Sequence, residues 1–192
     1  MSKNYIEDQT FDREDYAVRP LEKGEYDNCT FTNCNFSNSD LSNIVFSECR
    51  FSDCNLSLAQ IKGTALRDVH FKNCKLLGLH FQNCNEFLLA MDFENCILNL
   101  ASFYKLWLKK NRFLNCSLQE TDFSEADLSA AVFSNCDLAK ATFDNTILEK
   151  ADLRTAYNYS IDPETNRLKK ARFSMPGVVG LLHRYDIVIE SI

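Results

Sequence analysis

Glycine is scarce in this chain, five residues in 192, and no cluster of them forms the loop whose backbone amides cradle a phosphate. Histidine is scarcer, with only His70, His80 and His183. No uninterrupted apolar stretch approaches the roughly 20 residues that cross a bilayer, so no membrane role is expected. No nucleophile stands beside a base in a recognisable catalytic spacing. No basic, hydrophobic leader precedes the polar residues 1–10, and the expected location is a reducing cytoplasm.

What the chain has in abundance is a beat of five. Large apolar residues recur at Phe11, Tyr16, Leu21, Tyr26, Phe31 and on every fifth position to Phe81. After a two-residue slip the beat runs again from Leu88 through Phe93, Leu98 and Phe103 to Leu153. A five-residue step leaves successive side chains about 140° apart round a helix, which gives no apolar stripe. In a straight strand an odd period would swap faces at every repeat. The chain therefore turns a corner at each repeat. Two positions before each large residue lies a small one, such as Cys29, Cys34, Thr64, Ala101, Cys116 or Ala151. Both face inward, the residue between them faces out, and the remaining pair supplies the turn.

Likeness at a spacing of twenty sets the number of sides. Phe31, Phe51, Phe71, Phe93, Phe113 and Phe133 form one column, allowing for the slip, and Leu56, Leu76, Leu98, Leu118 and Leu138 another. The expected fold is an all-β quadrilateral β-helix of about seven coils, roughly 35 Å long at the usual strand spacing. All nine cysteines take the small inward position. Parallel side chains in a line suit packing better than a bridge or a zinc site. Asn33, Asn73, Asn95, Asn115 and Asn135 share a column and predict a hydrogen-bonded ladder. His70 and His80, ten residues apart, fall on opposite sides and share no metal. No cofactor is expected, and a solid core leaves no pocket for a substrate.

The ends depart from the rule, as the ends of repeat proteins do. Residues 1–28 are read as a cap and a first irregular coil, because Gln9, Glu14, Arg19 and Gly24 occupy the small position. Residues 29–156 are the regular β-helix, and residues 157–192 a capping coil, a short helix near Pro176 and a short strand over residues 186–190. Met175, Val178, Val179, Leu181, Leu182, Tyr185, Ile187 and Ile189 make this tail apolar. It serves either as a lid on the last coil or as a two-fold homodimer contact. The slip at residues 84–88 is either a bulge or a protrusion that touches a partner, with Leu58, Leu77, Leu100 and Trp107 facing outward nearby.

Net charge is −6. Glu120, Asp122, Glu125, Asp127, Asp137, Asp144, Glu149 and Asp152 face only Lys140 and Lys150 in their stretch, while Lys105, Lys109, Lys110 and Arg112 stand together without an acid. This balance argues against direct nucleic-acid binding and is compatible with binding a protein that itself holds DNA. The eight acids are either a solvated surface or a collective electrostatic site.

The tandem pattern, as in Cys29, Thr30 and Phe31 or Ala126, Asp127 and Leu128, resembles the pentapeptide-repeat superfamily over residues 11–173. That resemblance implies a right-handed β-helix. Residues 53–58 with 71–78, and the tail residues 158–162, 170–176 and 181–187, are similar to the albicidin-resistance, microcin-immunity and quinolone-resistance (Qnr and MfpA) group. The resemblance implies a homodimer joined through the C-terminal segment that imitates duplex DNA, acts on DNA gyrase or another type II topoisomerase, and protects it from inhibitors. Quinolone-resistance members project long loops where this chain has only the slip. A structural or scaffold protein with another partner is the alternative.

Overall fold

The computed structural model describes residues 4–190. The chain winds into a four-sided parallel β-solenoid, each coil stacked on the one before. The first side carries β1 (Asn4–Glu7), β3 (Gly24–Asp27), β5 (Val45–Ser47) and β7 (Ala65–Arg67). The second carries β2 (Thr10–Asp12), β4 (Thr30–Thr32), β6 (Arg50–Ser52), β8 (Val69–Lys72), β9 (Met91–Glu94), β10 (Arg112–Leu114) and β11 (Val132–Ser134). Single bridges from Val132 to Asp152 and on to Arg172 extend this seven-stranded ladder by two rungs. The third and fourth sides are held by lone parallel bridges, such as Asn55 to Lys75 and Asp122 to Thr142.

Each short strand alternates in the expected way: Cys29 and Phe31 are buried and Thr30 between them is partly exposed. The corner residue two places after most of the large side chains is left-handed, as at Asp8 (φ 57°), Asn33 (φ 55°) and Asn145 (φ 52°). Asn and Asp tolerate this region best among residues with a Cβ. Leu58, Leu100 and Ala130 occupy it too, held by the ladder on either side.

The core is a stack of rings. Phe11, Phe31, Phe51, Phe71, Phe93, Phe113 and Phe133 lie face over face at 4.8 to 5.4 Å. Phe81, Phe103, Phe123 and Phe143 form a second column that meets the first edge-on, as Phe103 meets Phe113 at 80°. Stacked and edge-to-face rings are the favoured aromatic geometries. The nine cysteines are buried and unbridged. Inward thiols reach back to the previous coil: Cys54 donates to the Phe31 carbonyl (3.4 Å) and Cys136 to that of Phe113 (3.3 Å).

The asparagine ladder is present with an altered membership. Asn73, Asn95, Asn115 and Asn135 each donate to the residue one coil earlier, and the first of these acceptors is Asp53. Asn33 turns instead to Asp12.

The first coil is paired through β1 and β2, which stack in register on β3 and β4 with Ile6 over Tyr26, while residues 13–23 carry no strand. Gly24 permits this approach, since a Cβ there would stand 2.6 Å from the Asn4 carbonyl oxygen. Leu88 is not inward: it is 63% exposed at φ 59°, and Leu89 packs on the core in its place. The C-terminal helix is a pair of 3-10 turns, Pro176–Leu181 and His183–Tyr185, and residues 186–190 form no strand. Two glycines in six residues weaken an α-helix, and the Gly180 carbonyl is committed to the Ile161 N–H (2.9 Å). Among the described residues no helix is long and apolar enough to cross a membrane.

Candidate partner-binding surfaces

The eight acids do not share a face. Asp127 and Glu149 lie on the first side, Asp152 on the second, Asp137 on the third, and Asp122 and Asp144 on the fourth. Glu120 and Glu125 sit at left-handed corners. A five-residue beat on a four-sided coil moves neighbouring repeats to different sides, so an acidic stretch of sequence becomes a belt round the rod.

Half of the belt is tied up. Lys105 pairs with Glu125 (3.4 Å) and Lys109 with Asp127 (3.2 Å), each reaching one coil along. Asp152 is held between Arg154 (2.7 Å) and Arg172 (3.3 Å), and the Arg154 hydrogen bond lowers its carboxyl below the ordinary range. Burial opposes ionisation of Asp127, but hydrogen bonds from Ser129 and Lys109 outweigh it and the net shift is downward. Asp137 behaves alike, with burial outweighed by Gln119 and Asn158. Glu120, Asp122, Asp144 and Glu149 form no ion pair among the described residues. The basic 105–112 stretch thus neutralises part of the acidic belt where the sequence suggests a separate patch.

A second acidic region lies outside the stretch that the sequence reading singled out. Residues 4–27 hold Glu7, Asp8, Asp12, Glu14, Asp15, Glu22, Glu25 and Asp27 against Arg13, Arg19 and Lys23. Counting charge per coil along the sequence would have found it. At the other end Arg154, Arg167, Lys169, Lys170 and Arg172 make the last coil basic, and Asp162 and Glu164 there are bound by Arg184 at 2.7 and 2.9 Å.

The tail lies on this basic coil. Arg184 and Tyr185 clamp it to residues 162 and 164, with Tyr185 donating to Glu164 (3.2 Å). Gly180 is buried where any Cβ would collide with Tyr159. Leu181 and Leu182 are half-buried, with Leu181 packed on the core. Met175, Val178, Val179, Tyr185, Ile187 and Ile189 are exposed, joined by Val188 at 86%. The segment is both a lid, through Leu181, and an open apolar surface.

His70 and His80 stand on opposite sides, on the second and fourth. A hollow of about 360 Å³ lies along the second side among Arg50, His70, Lys72, Asp92, Glu94 and Arg112. Lys72 pairs there with Glu94 (3.0 Å), and Asp92 accepts the Arg112 backbone N–H (3.1 Å).

A solenoid of five-residue repeats with left-handed corners defines a class, and the comparisons agree. The family model described as a pentapeptide repeat region matches residues 25–86 and 88–157, breaking at the slip. The chain belongs to the pentapeptide-repeat family. Among solved structures it is similar to a trypsin-treated variant of QnrB1, a plasmid-mediated fluoroquinolone resistance protein, at 18% identity and a TM-score of 0.63, covering 99% of this chain and 100% of that one. Full-length QnrB1 gives 19% identity and a TM-score of 0.58 over 96% and 100%. No curated protein matches the sequence.

Proposed function

We propose that the chain is a non-enzymatic binding protein that presents itself as a surrogate for duplex DNA to DNA gyrase or another type II topoisomerase, and shields that enzyme from inhibitors. The observation that carries this reading is the acidic belt: carboxylates on all four sides of a rigid rod, as phosphates surround a duplex, in place of a single patch. The fold shared with QnrB1, whose description is a fluoroquinolone resistance protein, supports it. The working form is a homodimer joined through the exposed apolar tail, in the cytoplasm where gyrase acts. A gyrase supercoiling assay with and without a gyrase poison tests the reading. Restored supercoiling in the presence of the protein is expected, and failure to alter either basal or poisoned activity overturns it.

A scaffold role for an unrelated protein partner is the second reading. The basic last coil and the Lys105 and Lys109 ion pairs favour it, since they weaken the negative field beside the tail. Binding that DNA does not compete would move the assignment there.

A further inference from the structure

β2 is the outermost strand of the longest ladder. Among the described residues nothing stacks on it or on β1 from outside, and Thr10 and Asp12 are exposed. Later coils show which backbone groups this leaves over. On the second side the outward residue before each large one donates its N–H to the coil before: Thr30 to the Gln9 carbonyl (2.9 Å), Arg50 to that of Cys29 (2.9 Å) and His70 to that of Cys49 (3.0 Å). The residue after each large one accepts from the coil before, Thr32 from the Arg13 N–H and Ser52 from the Asn33 N–H, both at 3.0 Å. Thr10 and Asp12 hold these two positions in the first coil, in register with Thr30 and Thr32. The Thr10 N–H and the Asp12 carbonyl therefore point away from β4, with no partner among the described residues.

The neighbouring sides of the same coil have closed part of their edge. The Glu7 carbonyl of β1 accepts Gln9 Nε2 (3.1 Å), and the Asp15 carbonyl on the third side accepts the Arg19 N–H (3.0 Å). β2 keeps a free donor and a free acceptor two residues apart on an extended backbone, the pattern that another extended strand matches.

Chemistry beside the edge says what that strand carries. Phe11 ends the column of stacked rings: it lies on Phe31 at 4.8 Å and is partly exposed, whereas Phe31 is fully buried. A large apolar side chain laid on the outer face of Phe11 would continue the stack. Residues 4–15 hold Glu7, Asp8, Asp12, Glu14 and Asp15 against Arg13 alone, so an incoming strand is attracted if its outward side chains are basic and repelled if they are acidic.

We propose that the open edge of β2 takes an extended basic segment of another protein as an added strand, which accepts the Thr10 N–H, donates to the Asp12 carbonyl, lays an apolar side chain on Phe11 and directs lysine or arginine outward among the acids. The site is at the opposite end of the rod from the tail and does not depend on the topoisomerase reading.

The full chain is titrated against a fluorescein-labelled, end-blocked Ser-Lys-Phe-Lys-Ser peptide, following anisotropy. Saturable binding is expected, with a Ser-Glu-Phe-Glu-Ser peptide weaker by about tenfold or more. Thr10→Pro removes the donor at a place where an edge strand tolerates proline, and should weaken binding about tenfold with an unchanged melting temperature. N-methylation of the peptide at alternate amides, made in both phases, should abolish binding in one phase and spare the other. That comparison reads strand pairing on the unaltered protein and serves if Thr10→Pro misfolds. No saturable binding, equal affinity for the acidic peptide, wild-type affinity in folded Thr10→Pro, or the same effect in both methylated phases overturns the proposal. Self-association of the chain that Thr10→Pro abolishes would also overturn it, by giving the edge to a second copy.

Discussion

Phe113 lies between Phe93 and Phe133, with ring centroids 5.3 and 5.0 Å away. Truncating it opens a cavity that the stacked ladders cannot close, so Phe113→Ala should cost about 3–5 kcal/mol and lower the thermal midpoint sharply. Leu100 works in the opposite sense. It holds φ 60°, a region that costs an ordinary L-residue about 1–2 kcal/mol and that Asn tolerates. Leu100→Asn should therefore raise stability by about 1 kcal/mol, read as a higher denaturation midpoint. Buried thiols set the response to alkali. Burial pushes Cys49 and Cys84 from 9.0 up to about 12. Between those values the unfolded chain has shed protons that the native chain keeps, so it binds fewer protons and stability falls as pH rises. The urea midpoint should be flat below about pH 9 and drop from there towards about pH 12.

At the scale of elements the tail is the part whose two roles can be separated. Leu181 packs on the core while Met175 and Val179 face out. Met175→Glu with Val179→Glu would place unpaired charges in any interface without touching the lid. Sedimentation should show a folded monomer with an unchanged melting temperature. A persistent dimer, or a wild type that is monomeric at high concentration, would remove the tail from the assembly. Charging Leu181 instead would confound the two roles, because its loss also uncovers the last coil.

For the whole molecule the distribution of charge decides the outcome. An acidic first coil, a partly neutralised belt and a basic last coil put the negative field away from the tail. In a tail-to-tail dimer the acidic ends point outward and the basic coils flank the centre. Glu120, Asp122, Asp144 and Glu149 are belt acids that form no ion pair among the described residues, and changing all four to their amides should weaken gyrase binding by about tenfold while leaving the fold intact. The wild-type complex should loosen as salt rises and yield to competing DNA. Titration of purified gyrase at low and high salt checks both, and binding indifferent to salt would count against DNA mimicry.

The beat of Phe, Leu and Cys determined the coil, its four sides and its ring columns, because each repeat repeats one local geometry and side-chain size alone says which residues stack. The asparagine ladder was legible for the same reason. Its switch to Asp53 and Asp12 was not, since acceptors one coil away are chosen by contact and not by likeness. The tail's 3-10 form depended on the last coil, where Tyr159 and Ile161 hold Gly180. The ion pairs that cancel part of the acidic belt depended on Lys105 and Lys109 lying twenty and eighteen residues before their partners and one coil beneath them. Repetition along the chain is a local property and the sequence carries it; charge pairing arises between coils, and only the stacked structure decides it.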